Sequence, residues 1–216
     1  MRRNPVRGIS SMFRTHTGST VCPDVLPVSE YILYVSEFDV YKHHSEVVSD
    51  YATLPQALSE KNPLILVGET SLQETKRVVS LNSTLGVEGR VLLLGAIPYK
   101  SLPPLYRHGP LNIFVSSCEN CPDTLLDALV SGKSMFCSSM IPMSEFGEDV
   151  ALYFFSFDSK SPGSVRAESL STPELLSKLS SATVLQSDKF YWNSTSKKTR
   201  SGSLALAKRS KKVVAR

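Results

Sequence analysis

The sequence predicts an α/β domain: a Rossmann-like, mostly parallel sheet flanked by helices. Three observations carry that expectation. Short apolar runs at residues 31–35, 64–67, 91–94, 111–115, 135–137 and 151–155 alternate with segments of helical spacing. Several runs end on a residue suited to a sharp exit, such as Ser36, Gly68, Gly95 or Ser116. Spread over about 150 residues, five or six such strands with intervening helices make βαβ units in a single domain. No internal repeat is visible.

In chain order, residues 31–35 (YILYV) read as the first strand and 36–42 as a loop. Residues 42–58 carry Val47, Val48, Tyr51, Leu54 and Leu58 at helical spacing, with Pro55 bending or ending that helix. After the strand at 64–67, Ser71 with Glu74 three residues on forms a capping box for a helix over 71–85. Gly95 closes the strand at 91–94, and a short helix over 101–106 tolerates Pro103 and Pro104 in its first turn. Residues 111–115 form the next strand. Pro122, Asp123 and Thr124 then open a helix with Leu125, Leu126 and Leu129 on one face and Gly132 beyond its end. A strand at 135–137, another at 151–155 and a helix over 173–179 complete the domain.

Composition and charge narrow the class. With 216 residues, 41% hydrophobic and 20% charged, the chain is an ordinary globular protein in make-up. No apolar stretch reaches the length of a membrane-spanning helix. Residues 197–216 hold eight Lys or Arg and no acid, so the net +4 becomes −4 over the other 196 residues. Four unevenly spaced cysteines do not form a disulfide framework and point to a reducing, cytoplasmic setting. The organisation expected is a flexible basic leader at 1–29, a domain at 30–182, a closing helix at 183–196 and a disordered basic tail at 197–216. The leader, with Arg2, Arg3, Arg7 and Arg14 before its first acid, has the composition of an organellar transit peptide or of an unstructured lead-in.

Residues 111–139 concentrate the chemistry. Glu119 follows a strand and Asp127, eight residues on, lies on the second turn of the next helix. Two carboxylates at the carboxyl edge of a parallel sheet suit the hydroxyl pairs of a sugar or ribose. They equally suit a helix-dipole acid and a solvated one. The free N–H groups at the start of that helix suit an anion. Lys42, seven residues beyond the first strand and at a helix start, is placed either to reach a diphosphate or to sit in solvent. Gly68 permits a close backbone approach or a turn. Cys118-x-x-Cys121 invites redox or zinc chemistry, yet neither Cys22, Cys137 nor His43-His44 supplies a paired second half, so no metal is expected. The tail suits a solvated end, or a peripheral hold on anionic lipid. Nucleic acid fits the tail's charge but finds no aromatic platform behind it.

Several runs, taken together and in order, resemble the donor-binding, C-terminal half of the GT-B glycosyltransferases, specifically the retaining family 4, or group 1. They are YILYVS from Tyr31 with YKHH from Tyr41, PLILVG from Pro63, and LGAIPYKSLPPLY from Leu94. SCENCPDTLLDALVSG from Ser117 and PMSEFGED from Pro142 complete them. The resemblance covers about residues 30–182. It implies a nucleotide-diphosphate sugar as substrate and transfer with retained anomeric configuration, without a cofactor. Glu119 then binds donor-sugar hydroxyls and Asp127 the ribose. The backbone around Cys121, Pro122, Asp123, Thr124 and Leu125, with Lys42, meets the diphosphate, Gly68 borders the cleft, and Ile97 marks the base. Tyr191-Trp192 resembles the family's closing helix. Where the family usually carries an arginine this sequence has Glu37, and the signature's later glutamate is Asp127. The family's N-terminal, acceptor-binding half has no counterpart in residues 1–30. The resemblance therefore implies a hexosyltransferase donor domain that works with a separate acceptor-binding domain or subunit. The alternatives are a truncated, non-catalytic nucleotide-binding remnant and an adaptor with a basic tail.

Overall fold

The computed structural model describes Leu26 and residues 30–154, 170–190 and 200–201. The expectations for the leader, for Tyr191-Trp192 and for nearly all of the tail lie outside these residues. Six parallel strands form one sheet: β1 (Ile32–Val35), β2 (Leu64–Val67), β3 (Val91–Gly95), β4 (Leu111–Phe114), β5 (Ser134–Ser138) and β6 (Ala151–Phe154). Their spatial order is β3-β2-β1-β4-β5-β6. The order reverses between β1 and β4, which pair in parallel from Ile32 opposite Leu111. Such a switch point leaves a crevice at the carboxyl ends of the two strands.

Alternation along the strands divides the core. Ile32 and Tyr34 face one side with Leu64, Leu66, Leu111 and Ile113. Against them pack Val47, Val48 and Tyr51 of α1 (His44–Tyr51) and Val78 of α3 (Leu72–Leu85). Leu33, Val35, Ile65 and Phe114 face the other side. There they meet Leu105 and Tyr106 of α4 (Leu102–His108), Leu125, Ala128 and Leu129 of α5 (Asp123–Val130), and Met143 of α6 (Met143–Gly147). Strands buried on both faces read as continuous apolar runs, which is why LILV and ILYV are so plain in the sequence.

Some boundaries differ from expectation. The helix expected over 42–58 is three pieces: a 3-10 turn at Val40–Lys42, α1, and α2 (Gln56–Lys61). His43 takes a left-handed conformation (φ 52°) between the first two, and Pro55 stands as the N-cap of α2. Ser71 caps α3 as expected, accepting from the Glu74 N–H at 3.3 Å. Residues 99–108 form a 3-10 turn (Tyr99–Ser101) running into α4, longer than the helix expected over 101–106. Neither α6 nor the Glu148–Val150 turn that follows it was expected. The last helix, α7 (Pro173–Asp188), is sixteen residues long rather than seven and runs through residue 183, where a separate closing helix was expected to start. It packs on α5 and β5, where Ser134 Oγ donates to the Leu176 carbonyl at 2.8 Å.

Gly68 fixes the spacing of the ends of β2 and β1, the latter bordering the crevice. A Cβ there would lie 1.8 Å from the Ser36 carbonyl oxygen, so only glycine lets these backbones pass. Beyond it the chains continue in register, with Ser36 N–H donating to Val67 at 2.8 Å and Phe38 N–H to Glu69 at 2.8 Å.

Candidate functional site

Lys42 and Glu119 meet at the switch point. Each is carried on the loop that leaves one of the two strands bordering the reversal, Lys42 after β1 and Glu119 after β4. The Lys42 ammonium donates to the Glu119 carboxylate in an ion pair whose side chains are 9% and 12% exposed. The same ammonium lies 4.9 Å from the Tyr41 ring centre and 5.5 Å from that of Phe114. Rings at that range favour a cation electrostatically, so the charge is held on three sides.

The turn that presents Lys42 is short and firmly tied. Asp39 caps it, accepting from the Val40 N–H at 2.6 Å. The Tyr41 carbonyl accepts from the Ser117 N–H at 3.0 Å, which joins the turn to the chain just before Glu119. From below, the buried Tyr34 hydroxyl lies 2.7 Å from the Lys42 carbonyl and 2.5 Å from the Val115 carbonyl. Ser138 Oγ donates to the Ser116 carbonyl at 2.8 Å, bracing the Glu119 loop from β5. Burial pushes the Tyr34 phenol well up, so it stays a neutral donor.

The remaining candidates spread along the same edge. Pro122 is buried, Asp123 and Cys121 are exposed, and Thr124 is half-buried at the start of α5. No side chain caps that helix. Leu125 is fully buried in the core, so only its backbone can serve a ligand. The Cys121 thiol lies 3.6 Å from the Asp123 carboxylate, and burial followed by that carboxylate pushes it up. Gly68 ends β2, and Ile97 follows β3, half-buried against the α4 side of the core. Asp127 is 4% exposed and sits beside Tyr106, whose phenol is pushed up first by burial and then by this carboxylate. Glu37, at the place of the family's arginine, is exposed and accepts a hydrogen bond from the Tyr41 hydroxyl. That bond, ahead of burial, raises the Tyr41 phenol.

Sequence reasoning missed Tyr34, Tyr41, Phe114 and Ser117 as parts of this site. The one available signal was a tyrosine in an otherwise aliphatic strand, ILYV, and packing alone accounts for such a residue. His44, two residues from Lys42, is 1% exposed, stacked 4.1 Å from Phe38 and 4.7 Å from Tyr34, with no hydrogen-bond partner for either ring nitrogen. Burial, then the Lys42 charge, lowers it to about 3, so the ring is a neutral packing element. Among the described residues no three His, Cys, Asp or Glu side chains gather as a metal site, and no helix is long and apolar enough to cross a membrane.

The sequence pattern of the glycosyl transferases group 1 matches residues 27–150, more than half of the chain. The chain belongs to this family. Solved structures of group 1 glycosyl transferases and of other sugar enzymes share its fold. HepE from Anabaena, solved with UDP and glucose, superposes at a TM-score of 0.70 with 17% identity, over 82% of this chain and 49% of that one. Sucrose-phosphate synthase from Thermosynechococcus elongatus gives 0.74 with 20% identity, over 85% and 47%. The C-terminal domain of a group 1 glycosyl transferase, LpcC of Francisella tularensis, gives 0.66 with 14% identity, over 74% and 85%. This group 1 chain thus has the fold of a GT-B C-terminal domain and spans about half the length of the first two structures. No curated protein matches its sequence.

Proposed function

We propose that this group 1 domain binds a nucleotide-diphosphate sugar and serves its transfer with retained anomeric configuration. One observation supports the reading above the rest: a lysine and a glutamate from different loops converge on the crevice at the sheet's switch point. In the reaction the bond between the anomeric carbon and the β-phosphate oxygen breaks, its electron pair leaving with the diphosphate. An acceptor hydroxyl oxygen bonds to that carbon, and its proton passes to the leaving diphosphate. Charge grows on the diphosphate as the bond breaks, and a preorganised cation stabilises it in a site with little water. Lys42 supplies that cation, with backbone N–H groups at the start of α5, near Thr124 and Leu125, beside it. Glu119, released from Lys42 as the diphosphate takes its place, accepts hydrogen bonds from the sugar. Asp127 faces the ribose and Ile97 the base. A hexose donor is in keeping with HepE, whose structures hold UDP-glucose. The acceptor is bound by a separate domain or subunit, and the basic tail holds the assembly at anionic lipid.

Isothermal titration with UDP-, GDP- and ADP-sugars tests the reading. Binding by the unsubstituted chain, lost on Glu119→Ala, supports it; no heat with any donor at millimolar concentration ends it. A second reading, a nucleotide-binding domain that transfers nothing, is favoured by Glu37 at the mouth of the site. Donor hydrolysis without acceptor separates the two, because the second reading predicts equal rates for the unsubstituted chain and Glu119→Ala.

A further inference from the structure

We propose that Tyr34 is a positioning residue that sets Lys42 against Glu119 for the donor diphosphate, an inference resting on the donor-site reading above. A phenol inside a core strand carries a desolvation cost that an aliphatic side chain avoids, and the cost is met only by a hydrogen bond. Tyr34 is fully buried, its neighbours in β1 are aliphatic, and its hydroxyl reaches out of the apolar layer to the end of the sheet. There it shares its one hydrogen between two carbonyls on different loops. One belongs to Lys42 itself. The other belongs to Val115, four residues before Glu119. The ring is held in turn by His44, two residues past Lys42 in the chain and stacked 4.7 Å away.

Lys42 closes a three-residue turn, and the next residue, His43, leaves it in a left-handed conformation. Its carbonyl is therefore the last fixed point of the turn before α1 begins. Without the Tyr34 hydroxyl, two buried carbonyls would lie at the junction unpaired, and they would separate or draw in water. Either movement shifts the ammonium relative to Glu119. Packing of the ring does not need the hydroxyl, so Tyr34→Phe removes the positioning bond and keeps the core.

The experiment uses the full chain and two readouts. The first compares affinities for UDP, GDP and ADP with those for the matching nucleosides, in the unsubstituted protein, Tyr34→Phe, Lys42→Ala and the double variant. Tyr34→Phe is expected to weaken diphosphate binding about tenfold, to leave nucleoside binding unchanged, and to add nothing in the Lys42→Ala background. The second follows the Lys42 side-chain ammonium by NMR. Its signal shifts on Glu119→Gln in the unsubstituted chain, and that response is expected to vanish in Tyr34→Phe. Equal weakening of nucleoside and diphosphate, or an unaltered Lys42 response, would reduce Tyr34 to a core tyrosine. If the unsubstituted chain binds no nucleoside diphosphate, the donor reading fails, and the Lys42 signal still decides the role of Tyr34. Should Tyr34→Phe not fold, 3-fluorotyrosine at position 34 gives a stronger hydroxyl donor in the same space. A shifted Lys42 signal then supports the positioning role, and an unmoved one overturns it.

Discussion

Two of the lysine–glutamate pairs among the described residues sit in contrasting places, one at the centre of the sheet and one at its edge. Lys42 and Glu119 meet between the central strands β1 and β4, with side chains 9% and 12% exposed. Lys189 and Glu148 meet at the outer end, where α7 passes the turn before β6, at 2.6 Å with side chains 55% and 48% exposed. The residue types are the same, but their surroundings differ. The inner lysine is flanked by aromatic rings and its turn is tied by Tyr34 and Ser117, whereas the outer pair lies in solvent, where entropy and screening cancel most of the attraction. Burial is what separates the two pairs.

The largest effect is expected where the inner scaffold itself is broken. Gly68→Ala puts a Cβ against the Ser36 carbonyl oxygen, and the two strand ends must part to admit it. A loss of about 3 kcal/mol or more is expected in denaturant unfolding. Gly89→Ala, where a Cβ meets nothing within 4 Å, is the control and should change little. A mild Gly68→Ala would mean that the crevice does not depend on that close approach.

Next comes the inner pair. Lys42→Ala leaves the Glu119 carboxylate largely out of water without its partner, and Glu119→Ala does the same to the ammonium. Each should cost about 2 kcal/mol in urea unfolding, with the double variant costing less than the sum of the two. Strict additivity would show that the two groups do not depend on each other.

How legible this was in the sequence follows from the same contrast. The strands were plain because parallel strands buried on both faces leave unbroken apolar runs. Strand–loop–helix order was enough to put Lys42 and Glu119 at the carboxyl edge, where the structure brings them together. What stayed hidden depends on the third dimension. The 3-10 turn and the left-handed His43 broke a helix that periodicity had joined. In α6, five residues are too few to show a period, and the last turns of α7 are held by contacts distant in sequence, such as Gln186 donating to the Phe146 carbonyl at 3.0 Å. Nothing in the spacing said that Asp127 would be buried beside Tyr106, or that the hydroxyl of Tyr34 rather than its ring would face the site.

A third test sharpens the inner region by pH. The folded chain holds the His44 imidazole neutral down to about 3, whereas an unfolded histidine takes up a proton near 6.5. Below 6.5 the unfolded state therefore binds one more proton, and stability falls as pH falls toward 3, by about 1.4 kcal/mol per unit. His44→Phe, which can keep the stack on Phe38 and Tyr34, should remove that part of the acid slope, about 1 kcal/mol at pH 5.5–6. An unchanged slope between pH 6.5 and 5 would show that His44 reaches water.

The smallest effect belongs to the outer pair, and its sign can reverse. Lys189 holds the Glu148 carboxyl below its ordinary value, so any contribution is present at neutral pH and lost as pH falls through that lowered value. With both side chains about half exposed, the attraction is screened. Lys189→Ala should leave the melting temperature unchanged, in low salt and in high. Glu148 also sits at φ 38°, ψ −127°, a region that an L side chain enters only under strain. Glu148→Gly gives up the exposed pair but relieves the backbone, so melting should rise slightly rather than fall. If instead Lys189→Ala costs as much as Lys42→Ala, burial is not what separates the two pairs, and the inner one loses its structural claim to be the site.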